Sequence, residues 1–183
     1  MSMEIEVKAR FEDKNKIIAI LKDLGAKEEK AKHQIDEYYN HPARDTRKTN
    51  EYIRLRYNPK ENKGIFALHI NISDGVNKEY EVPIENLAIF KEILSKMNFP
   101  LLGIIDKKRE TYKLDEFTIT IDEVKDIDNF IEIEVDGEKS EIEFKKEKCK
   151  EMLKKIGIPE RNITKGIWLC DIATGRIPYF KTE

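Results

Sequence analysis

The 183-residue chain is poor in the residues that mark small secreted proteins and flexible linkers. It has only two cysteines, Cys149 and Cys170, which stand in no metal-ligand spacing and both fall in helical patterns. We therefore expect packing thiols in a reducing compartment rather than a disulfide. Six prolines and eight glycines form no linker, so a single domain over residues 1–183 is expected.

Two further absences concern charge and apolar runs. Lys and Arg number 34 against 36 Asp and Glu, giving a net charge of −2 and no basic surface for nucleic acid. No apolar run approaches the roughly 20 residues that span a bilayer, and the N-terminus enters a strand pattern without the apolar segment of a secretory leader. We expect a soluble cytoplasmic protein with neither a nucleic-acid nor a membrane partner.

What the chain does have is charge at every second position of its predicted strands. Glu4, Glu6 and Lys8 alternate with apolar residues in the first strand. Because successive strand side chains point to opposite faces, these three line one face. The same pattern recurs in later strands, at Arg54 and Arg56, Glu79 and Glu81, Lys107 and Arg109, Asp122, and Glu132 and Glu134.

Apolar periodicity and turn residues predict the remaining elements. One helix runs from an Asp13 cap to Gly25, a second covers residues 87–97, a third follows a Ser140 and Glu143 capping box and ends at Gly157, and a short fourth lies near 165–172. The predicted strands cover 4–11, 34–40, 52–58, 65–73, 78–83, 101–112, 117–123 and 130–136. A turn at Asp74-Gly75 is predicted to join the strands over 65–73 and 78–83 as a hairpin. Eight strands with three or four helices predict an α+β protein, and such a sheet closed into a barrel has room for one small ligand.

The charged strand faces have two interpretations. They are solvated faces of an antiparallel sheet, or they converge on a ligand. The segregation of sign favours a ligand, because a solubilising face usually mixes charges whereas here acidic and basic pairs occupy different strands. Charges that converge in an interior must be neutralised. Divalent cations with a polyanion would do so, since carboxylates bind Mg²⁺ or Mn²⁺ and Arg and Lys bind phosphate oxygens.

An ordered series of motifs carries a family resemblance from residue 4 to about residue 171. The series is Glu4-Ile5-Glu6-Val7-Lys8, Asp36-Glu37-Tyr38-Tyr39, Ile53-Arg54-Leu55-Arg56, Glu79-Tyr80-Glu81, Lys107-Lys108-Arg109, Asp122-Glu123-Val124 and Phe130-Ile131-Glu132-Ile133-Glu134. It resembles the CYTH superfamily of triphosphate tunnel metalloenzymes, which includes class IV adenylyl cyclases, thiamine triphosphatases and inorganic triphosphatases. The resemblance implies an α+β fold with an eight-stranded antiparallel β-barrel, the triphosphate tunnel, and flanking helices.

The resemblance also implies a metal-dependent enzyme acting on a triphosphate. It would be class IV adenylyl cyclase-like, converting ATP to cyclic AMP and pyrophosphate, or a triphosphatase acting on ATP, thiamine triphosphate or tripolyphosphate; the alternative is a noncatalytic nucleotide or polyphosphate sensor. The implied ligands for Mg²⁺ or Mn²⁺ are Glu4, Glu6, Glu79, Glu81, Asp122, Glu132 and Glu134. The implied triphosphate-binding residues are Lys8, Arg54, Arg56, Lys107 and Arg109. Glu4, Glu6 and Lys8 form the implied catalytic set, and a homodimer is a further expectation.

Three positions depart from the family pattern. A Lys of many relatives is replaced within Leu68-His69-Ile70-Asn71, a basic residue is replaced by Asn77, and a Ser-Tyr pair is replaced within Lys165-Gly166-Ile167-Trp168. The departures predict an altered substrate, weak turnover or binding alone. We expect His69 to be a packed or solvated histidine rather than a phosphate donor.

Overall fold

The computed structural model describes residues 3–29, 31–164, 171 and 173. The described strands are β1 (Met3–Arg10), β2 (Lys27–Glu28), β3 (Lys32–Tyr39), β4 (Glu51–Tyr57), β5 (Gly64–Ser73), β6 (Val76–Ile84), β7 (Leu101–Leu114), β8 (Phe117–Val124) and β9 (Asn129–Gly137). The described α-helices are α1 (Lys14–Asp23), α2 (Leu87–Lys96) and α3 (Ile142–Lys155), with 3₁₀ turns at Thr46–Lys48, Lys139–Glu141 and Glu160–Asn162. Each predicted strand is found with its ends shifted by a few residues, whereas β2 is not predicted by the sequence pattern.

The strands follow one hydrogen-bonded order, β2-β7-β3-β4-β5-β6-β1-β9-β8, and β7 also pairs with β8. The pairings of β1 with β6 and β9, of β4 with β3 and β5, and of β8 with β9 are antiparallel. Because β7 pairs with both β3 and β8, the order of the eight longer strands closes on itself. The predicted fold class, an α+β protein with an eight-stranded antiparallel β-barrel, is therefore confirmed.

Two compact units make up the chain. The first comprises Met1–Lys32, Ser73–Asn77 and Lys108–Gly166, and the second comprises His33–Ile72, Lys78–Lys107 and Ile167–Glu183. Strands β6 and β7 contribute residues to both units. The single domain expected from the sequence stays a prediction.

The core of the first unit lies on the apolar face of β1. Ile5, Val7 and Ala9, which alternate with the charged residues of this strand, are all buried. They pack in one cluster with apolar residues of β8, β9, α1 and α3, including Ile17, Leu21, Ile119, Ile121, Ile131, Ile133, Met152 and Leu153. Burial of this face fixes the register of β1 and turns its charged residues to the other side of the sheet.

The second unit has a smaller core between β4 and α2. Ile53 and Leu55, the apolar alternates of the two strand arginines, pack against Leu87 and Leu94 of the helix. The helix is also tied down by polar contacts, since the Lys91 ammonium donates to Glu37 Oε1 at 2.6 Å. This face of β4 is therefore covered, and Arg54 and Arg56 point to the opposite face.

Helix ends follow local capping chemistry. The Asp13 carboxylate accepts a hydrogen bond from the backbone N–H of Lys16 at 3.0 Å, as the predicted cap requires. Gly25 follows α1 with φ of +82°, a conformation that favours glycine. Asn86 caps α2 through a 3.2 Å bond from the backbone N–H of Ile89, a start that the sequence pattern did not single out.

The predicted capping box of the third helix is wrong by two residues. The box lies at Glu138 and Glu141 rather than at Ser140 and Glu143, and the backbone N–H of Glu138 donates to Glu141 Oε2 at 2.9 Å. The reason is the 3₁₀ turn at Lys139–Glu141, which starts the helical path before α3 itself. In either position a glutamate at N3 accepts a hydrogen bond from the backbone N–H of the N-cap residue. Spacing alone could therefore not choose between the two positions of the box.

Several predictions fall wholly or partly on residues that the structure does not describe. They are the short helix near 165–172, the cysteine Cys170 and the segment Lys165-Gly166-Ile167-Trp168. Cys149 is described, and it is a free, buried thiol as expected. Among the described residues, no helix is long and apolar enough to cross a membrane.

Candidate functional site

The first unit collects carboxylates on the charged face of β1 and β9. In this antiparallel pair, Lys8 stands opposite Glu132, Glu6 opposite Glu134, and Glu4 opposite Asp136. Residues directly opposite in a ladder point to the same face. The alternate charged residues of β1 and β9, which are far apart in the sequence, thus lie on one continuous face of the sheet. Asp136 adds to this face an acidic side chain that the sequence pattern did not single out.

Glu6 is the most perturbed carboxyl group of this surface. It faces Glu134 across the ladder, and like charges placed directly opposite destabilise a sheet. Burial, together with the charge of Glu132, raises the pKa of the Glu6 carboxyl well above its usual value, although Lys8 partly opposes the shift. Asn77 Nδ2 donates to Glu6 Oε1 at 3.3 Å, so this departure from the family pattern lies against a predicted ligand.

The backbone of Glu6 is held by the predicted Asp74 and Gly75 turn. The backbone N–H of Glu6 donates to the Gly75 carbonyl at 2.9 Å. Gly75 has φ of +69°, and a Cβ there would lie 2.4 Å from the carbonyl oxygen of Glu6. Only glycine suits both the conformation and the close approach, so the turn that was predicted as a simple hairpin connection also positions a site residue.

Two cations lie among these carboxylates. Lys8 Nζ is 2.8 Å from Glu132 Oε2, and both side chains are buried. Burial lowers the pKa of the Lys8 ammonium, but the carboxylates of Glu132 and Glu6 outweigh it, so the net shift of this pKa is upward. Arg109 donates from Nε and Nη2 to the two oxygens of Asp122, each at 2.6 Å. Lys8 is thus a fixed cation, available to bind an anion but not to accept a proton.

The donor chemistry of this acidic cluster fits a hard divalent cation. The predicted ligands in the first unit are Glu4, Glu6, Asp122, Glu132 and Glu134, five carboxylates against the two cations Lys8 and Arg109. Thr120, which stands opposite Glu132, also has a buried hydroxyl with no hydrogen-bond partner in the described structure. Mg²⁺ and Mn²⁺ take oxygen ligands of this kind. The residues present therefore suit the metal that the sequence implies.

The second unit contains a basic cluster built around one carboxylate. Asp36 on β3 stands opposite Arg56 on β4. Arg56 donates from Nε to Oδ1 at 2.7 Å and from Nη2 to Oδ2 at 2.8 Å. Lys107 Nζ lies 3.5 Å from Oδ2 of the same carboxylate. Burial raises the pKa of Asp36, but Arg56 and Lys107 outweigh it and hold this pKa well below its usual value.

Arg54 and His69 engage the acidic pair of β6. Arg54 Nη2 lies 3.1 Å from Glu81 Oε1 and 3.8 Å from Glu79 Oε2. His69 is buried, and its Nδ1 pairs closely with Glu79, a contact that the sequence did not predict. Burial and Arg54 lower the pKa of His69 to about 4, against the opposing effect of Glu79. Possible ligand atoms of His69, Glu79 and Glu81 lie within 4.8 Å of one another, close enough for a metal ion to bridge them.

Each predicted site residue therefore falls in one of two clusters. The acidic cluster of the first unit contains Glu4, Glu6, Lys8, Arg109, Asp122, Glu132 and Glu134. The basic cluster of the second unit contains Arg54, Arg56, Glu79, Glu81 and Lys107. Asp36 was quoted from the sequence only as part of a motif. Its spacing could have indicated a site residue, because Asp36 lies two positions before Tyr38 and so shares a strand face with it.

Asp171 is a further buried acid that sequence reasoning missed. The Tyr52 hydroxyl donates to Asp171 Oδ1 at 2.6 Å, and both residues are buried. Tyr52 shares the strand face of Arg54 and Arg56 and stands opposite His69. A contact between residues 119 positions apart leaves no periodic signal, so it could not be read from the chain.

The model of the CYTH domain family matches residues 2–167 of this chain. The chain belongs to the CYTH domain family. This confirms the resemblance that the strand motifs carry. The family match includes every predicted site residue, from Glu4 to Glu134.

Other CYTH-like proteins are similar over nearly their whole length. A protein of Methanocaldococcus jannaschii named "putative adenylate cyclase" is 33% identical over 172 residues, which cover 91% of this chain and 97% of that protein. A solved structure from Pyrococcus horikoshii has a TM-score of 0.79 at 28% identity and covers 91% of this chain and 96% of its own. A Hippeastrum protein, described as a putative adenylyl cyclase with a dominant triphosphatase activity, has a TM-score of 0.69 at 19% identity over 97% and 98%.

Proposed function

We propose that this CYTH protein is a metal-dependent enzyme that acts on a triphosphate, as a class IV adenylyl cyclase-like enzyme or a triphosphatase. The observation that carries the proposal is the opposition of Glu6 to Glu134 and of Glu4 to Asp136 in the first unit. Like charges in register destabilise a sheet unless something neutralises them. A divalent cation would neutralise them. Such a cation, together with Lys and Arg side chains, binds the oxygens of a phosphate chain.

The residues of the acidic cluster have separate proposed roles. Glu4, Glu6, Asp122, Glu132 and Glu134 would hold Mg²⁺ or Mn²⁺, which supplies charge stabilisation for phosphoryl oxygens and lowers the pKa of bound water. Lys8 and Arg109 would bind phosphate oxygens. Because Lys8 stays protonated beside Glu132, it contributes charge at the reacting phosphate and does not act as a general base.

The basic cluster is proposed to bind phosphate as well. Arg54, Arg56 and Lys107 supply three cations, and Arg side chains match phosphate oxygens in pairs. Glu79 and Glu81 remain proposed metal ligands, joined by His69 as a third possible ligand. The same two carboxylates lie 3.8 and 3.1 Å from Arg54 Nη2, so a metal ion bound there would share them with this arginine.

The two candidate reactions differ in the nucleophile and the leaving group. In a cyclase, the ribose 3′-hydroxyl attacks the α-phosphorus of ATP and pyrophosphate leaves. In a triphosphatase, water attacks the terminal phosphorus, the diphosphate part of the substrate leaves, and orthophosphate is formed. The name of the Methanocaldococcus protein supports cyclisation. The Hippeastrum protein shows that a cyclase name and a dominant triphosphatase activity occur together in this fold.

Product analysis tests the proposal. Purified protein is incubated with Mg²⁺ or Mn²⁺ and, in turn, ATP, thiamine triphosphate and tripolyphosphate, and the products are separated. Cyclic AMP with pyrophosphate identifies a cyclase, and orthophosphate identifies a triphosphatase. The Glu6→Gln variant keeps the size of the side chain but removes a proposed ligand, so we expect loss of metal-dependent turnover. Full activity in a folded Glu6→Gln protein would contradict the assignment of this cluster.

A noncatalytic sensor is the second candidate. It is favoured by the pairing of His69 with Glu79, because a residue that replaces a family Lys is here engaged by a carboxylate rather than left to bind phosphate. A sensor would be stabilised thermally by triphosphate without turnover. A cytoplasmic location and a homodimer are also proposed; the free thiol of Cys149 suits a reducing compartment.

A further inference from the structure

Asp36 is the most buried acidic residue of the basic cluster, with 1% of its surface exposed. Its two oxygens receive both hydrogen bonds of the Arg56 fork. Lys107, itself only 3% exposed, lies 3.5 Å from one of them. The proposed function assigns phosphate binding to both Arg56 and Lys107, and both contact this one carboxylate.

The fork fixes the plane of the Arg56 guanidinium. A guanidinium carries five N–H donors, and the two bonds to Asp36 use the Nε donor and one Nη2 donor. The remaining donors are fixed in direction, because a planar group held at two points cannot rotate. A bidentate carboxylate behind an arginine therefore presets the geometry in which the arginine meets a second anion.

A second effect concerns repulsion among the cations. The charges of Arg56, Lys107 and Arg54 all act on Asp36. Three cations gathered in one buried place would repel one another and move apart without a shared anion. Arg54 is paired with Glu79 and Glu81, whereas Arg56 and Lys107 share the one carboxylate of Asp36. The pair Arg56 and Lys107 therefore keeps an excess positive charge and still attracts a polyanion while it is held together.

We propose that Asp36 is a positioning residue that orients Arg56 and Lys107 to bind the phosphate chain of the substrate. The inference rests on the proposed function and adds a residue to it. Asp36 does not touch the substrate; it acts through the two cations. Loss of Asp36 disorders their geometry, and the affinity for triphosphate falls although the local charge becomes more positive.

The sign of the affinity change separates this role from a plain counter-ion. If Asp36 only neutralised charge, the Asp36→Asn variant would remove a competing anion and bind tripolyphosphate more tightly. If Asp36 orients the cations, the same variant binds more weakly, because the amide replaces one acceptor with a donor that faces Arg56. Titration calorimetry with tripolyphosphate and Mg²⁺ measures the difference, and we expect affinity to fall about tenfold or more.

Glu37 offers a matched control. It is the next residue on β3, is also buried, and pairs with Lys91 at 2.6 Å on the opposite face. The Glu37→Gln variant removes a buried acid with a cation partner from the same strand. We expect it to lower the melting temperature while leaving the affinity for tripolyphosphate within about twofold of the wild-type value. An equal loss of affinity in both variants would overturn the positioning role of Asp36.

Two further outcomes are distinguishable. A wild-type protein that binds neither tripolyphosphate nor ATP overturns the proposed function and this inference with it. A wild-type protein that binds, with Asp36→Asn equal or tighter, overturns only the inference. If Asp36→Asn does not fold, Arg56→Lys replaces it: the charge remains but the two-bond fork to Asp36 is lost, so we expect weaker binding of tripolyphosphate. Unchanged affinity in Arg56→Lys would overturn the inference.

Discussion

The two clusters differ in how their charges are balanced. In the first unit, five predicted carboxylates share a face with Lys8 and Arg109, and acids stand opposite acids in the ladder. In the second unit, three carboxylates match the three cations Arg54, Arg56 and Lys107, and an acid stands opposite an arginine at Asp36. Among these residues the first cluster has three more acids than cations, whereas the second has equal numbers of both.

This difference separates two ways of building a charged face. Register alone creates repulsion in the first unit, because the same alternation that buries Ile5 and Val7 places Glu6 against Glu134. The second unit uses the same alternation to make an ion pair of Asp36 and Arg56. A divalent cation should therefore stabilise the first unit, whereas in the second unit its expected effect is confined to His69, Glu79 and Glu81 and leaves the pairing of Asp36 with Arg56 unchanged.

The largest expected contrast comes from truncating the matched arginines. Arg109 and Arg56 each make a two-bond fork to one acid, Asp122 and Asp36. Breaking a buried pair by removing one partner costs about 3–5 kcal/mol. We expect Arg109→Ala and Arg56→Ala to lower the free energy of unfolding by similar amounts in metal-free buffer, as measured by urea denaturation.

Added Mg²⁺ or Mn²⁺ should then distinguish the two variants. A cation can take the place of Arg109 among the carboxylates of the first unit, so metal should restore much of the stability of Arg109→Ala. No such excess of acid surrounds Arg56, so metal should leave the stability deficit of Arg56→Ala relative to wild type unchanged. This variant should also bind triphosphate more weakly. Equal rescue of both variants would show that the two clusters do not differ in the way their charges suggest.

Strand faces were predictable from the sequence because alternation is a local property. Glu4, Glu6 and Lys8 were expected on one face, and Ile5, Val7 and Ala9 are buried on the other. What alternation could not supply is register between distant strands. The pairing of Glu6 with Glu134 and the fork from Arg56 to Asp36 depend on which residue stands opposite which, and that is set by packing across the whole sheet.

Residues without periodicity escaped prediction for a related reason. His69 was expected as a packed or solvated side chain, and its pairing with Glu79 required the register of β5 against β6. The bond from Tyr52 to Asp171 joins segments far apart in the chain. The family resemblance, in contrast, depends on the order of the motifs along the chain. It was therefore predictable without knowing which residues stand opposite each other, and the CYTH match over residues 2–167 confirms it.

A smaller effect is expected from neutralising one carboxyl group of the acidic cluster. Glu6→Gln removes a group whose ionised form is opposed by burial and by Glu132. In metal-free buffer we expect stability to be unchanged or to rise by about 1 kcal/mol, because a like-charge pair is removed. The wild-type protein should instead gain about 2–3 kcal/mol from metal at a hundred times its Kd, and the variant much less. Equal melting-temperature shifts with Mn²⁺ in both proteins would remove Glu6 from the metal site.

The smallest expected effect is a pH dependence that again separates the clusters. The pKa of Glu6 is raised above its ordinary value of 4.5, so the folded state binds its proton more tightly than the unfolded state does. Its contribution to stability is present below pH 4.5 and is lost as pH rises through the folded pKa. Relative to Glu6→Gln, metal-free wild-type protein should therefore gain on the order of 1 kcal/mol of stability when both are acidified from pH 7 toward pH 5, because the variant lacks the titrating carboxyl group.

Asp36 has the opposite sign and titrates in a different range. Its pKa lies well below the ordinary value of 3.8, so its contribution to stability is present above pH 3.8 and is lost only as pH falls through the folded pKa. Asp36 should therefore contribute no slope between pH 7 and pH 5, whereas His69, whose pKa is lowered from 6.5 to about 4, should reduce stability as pH falls through this range. Urea denaturation of wild type, Glu6→Gln and Asp36→Asn across this range isolates the contribution of each acid by difference. A wild-type slope that is unchanged in Glu6→Gln but altered in Asp36→Asn would reverse the assignment, because the titrating acid would then be Asp36.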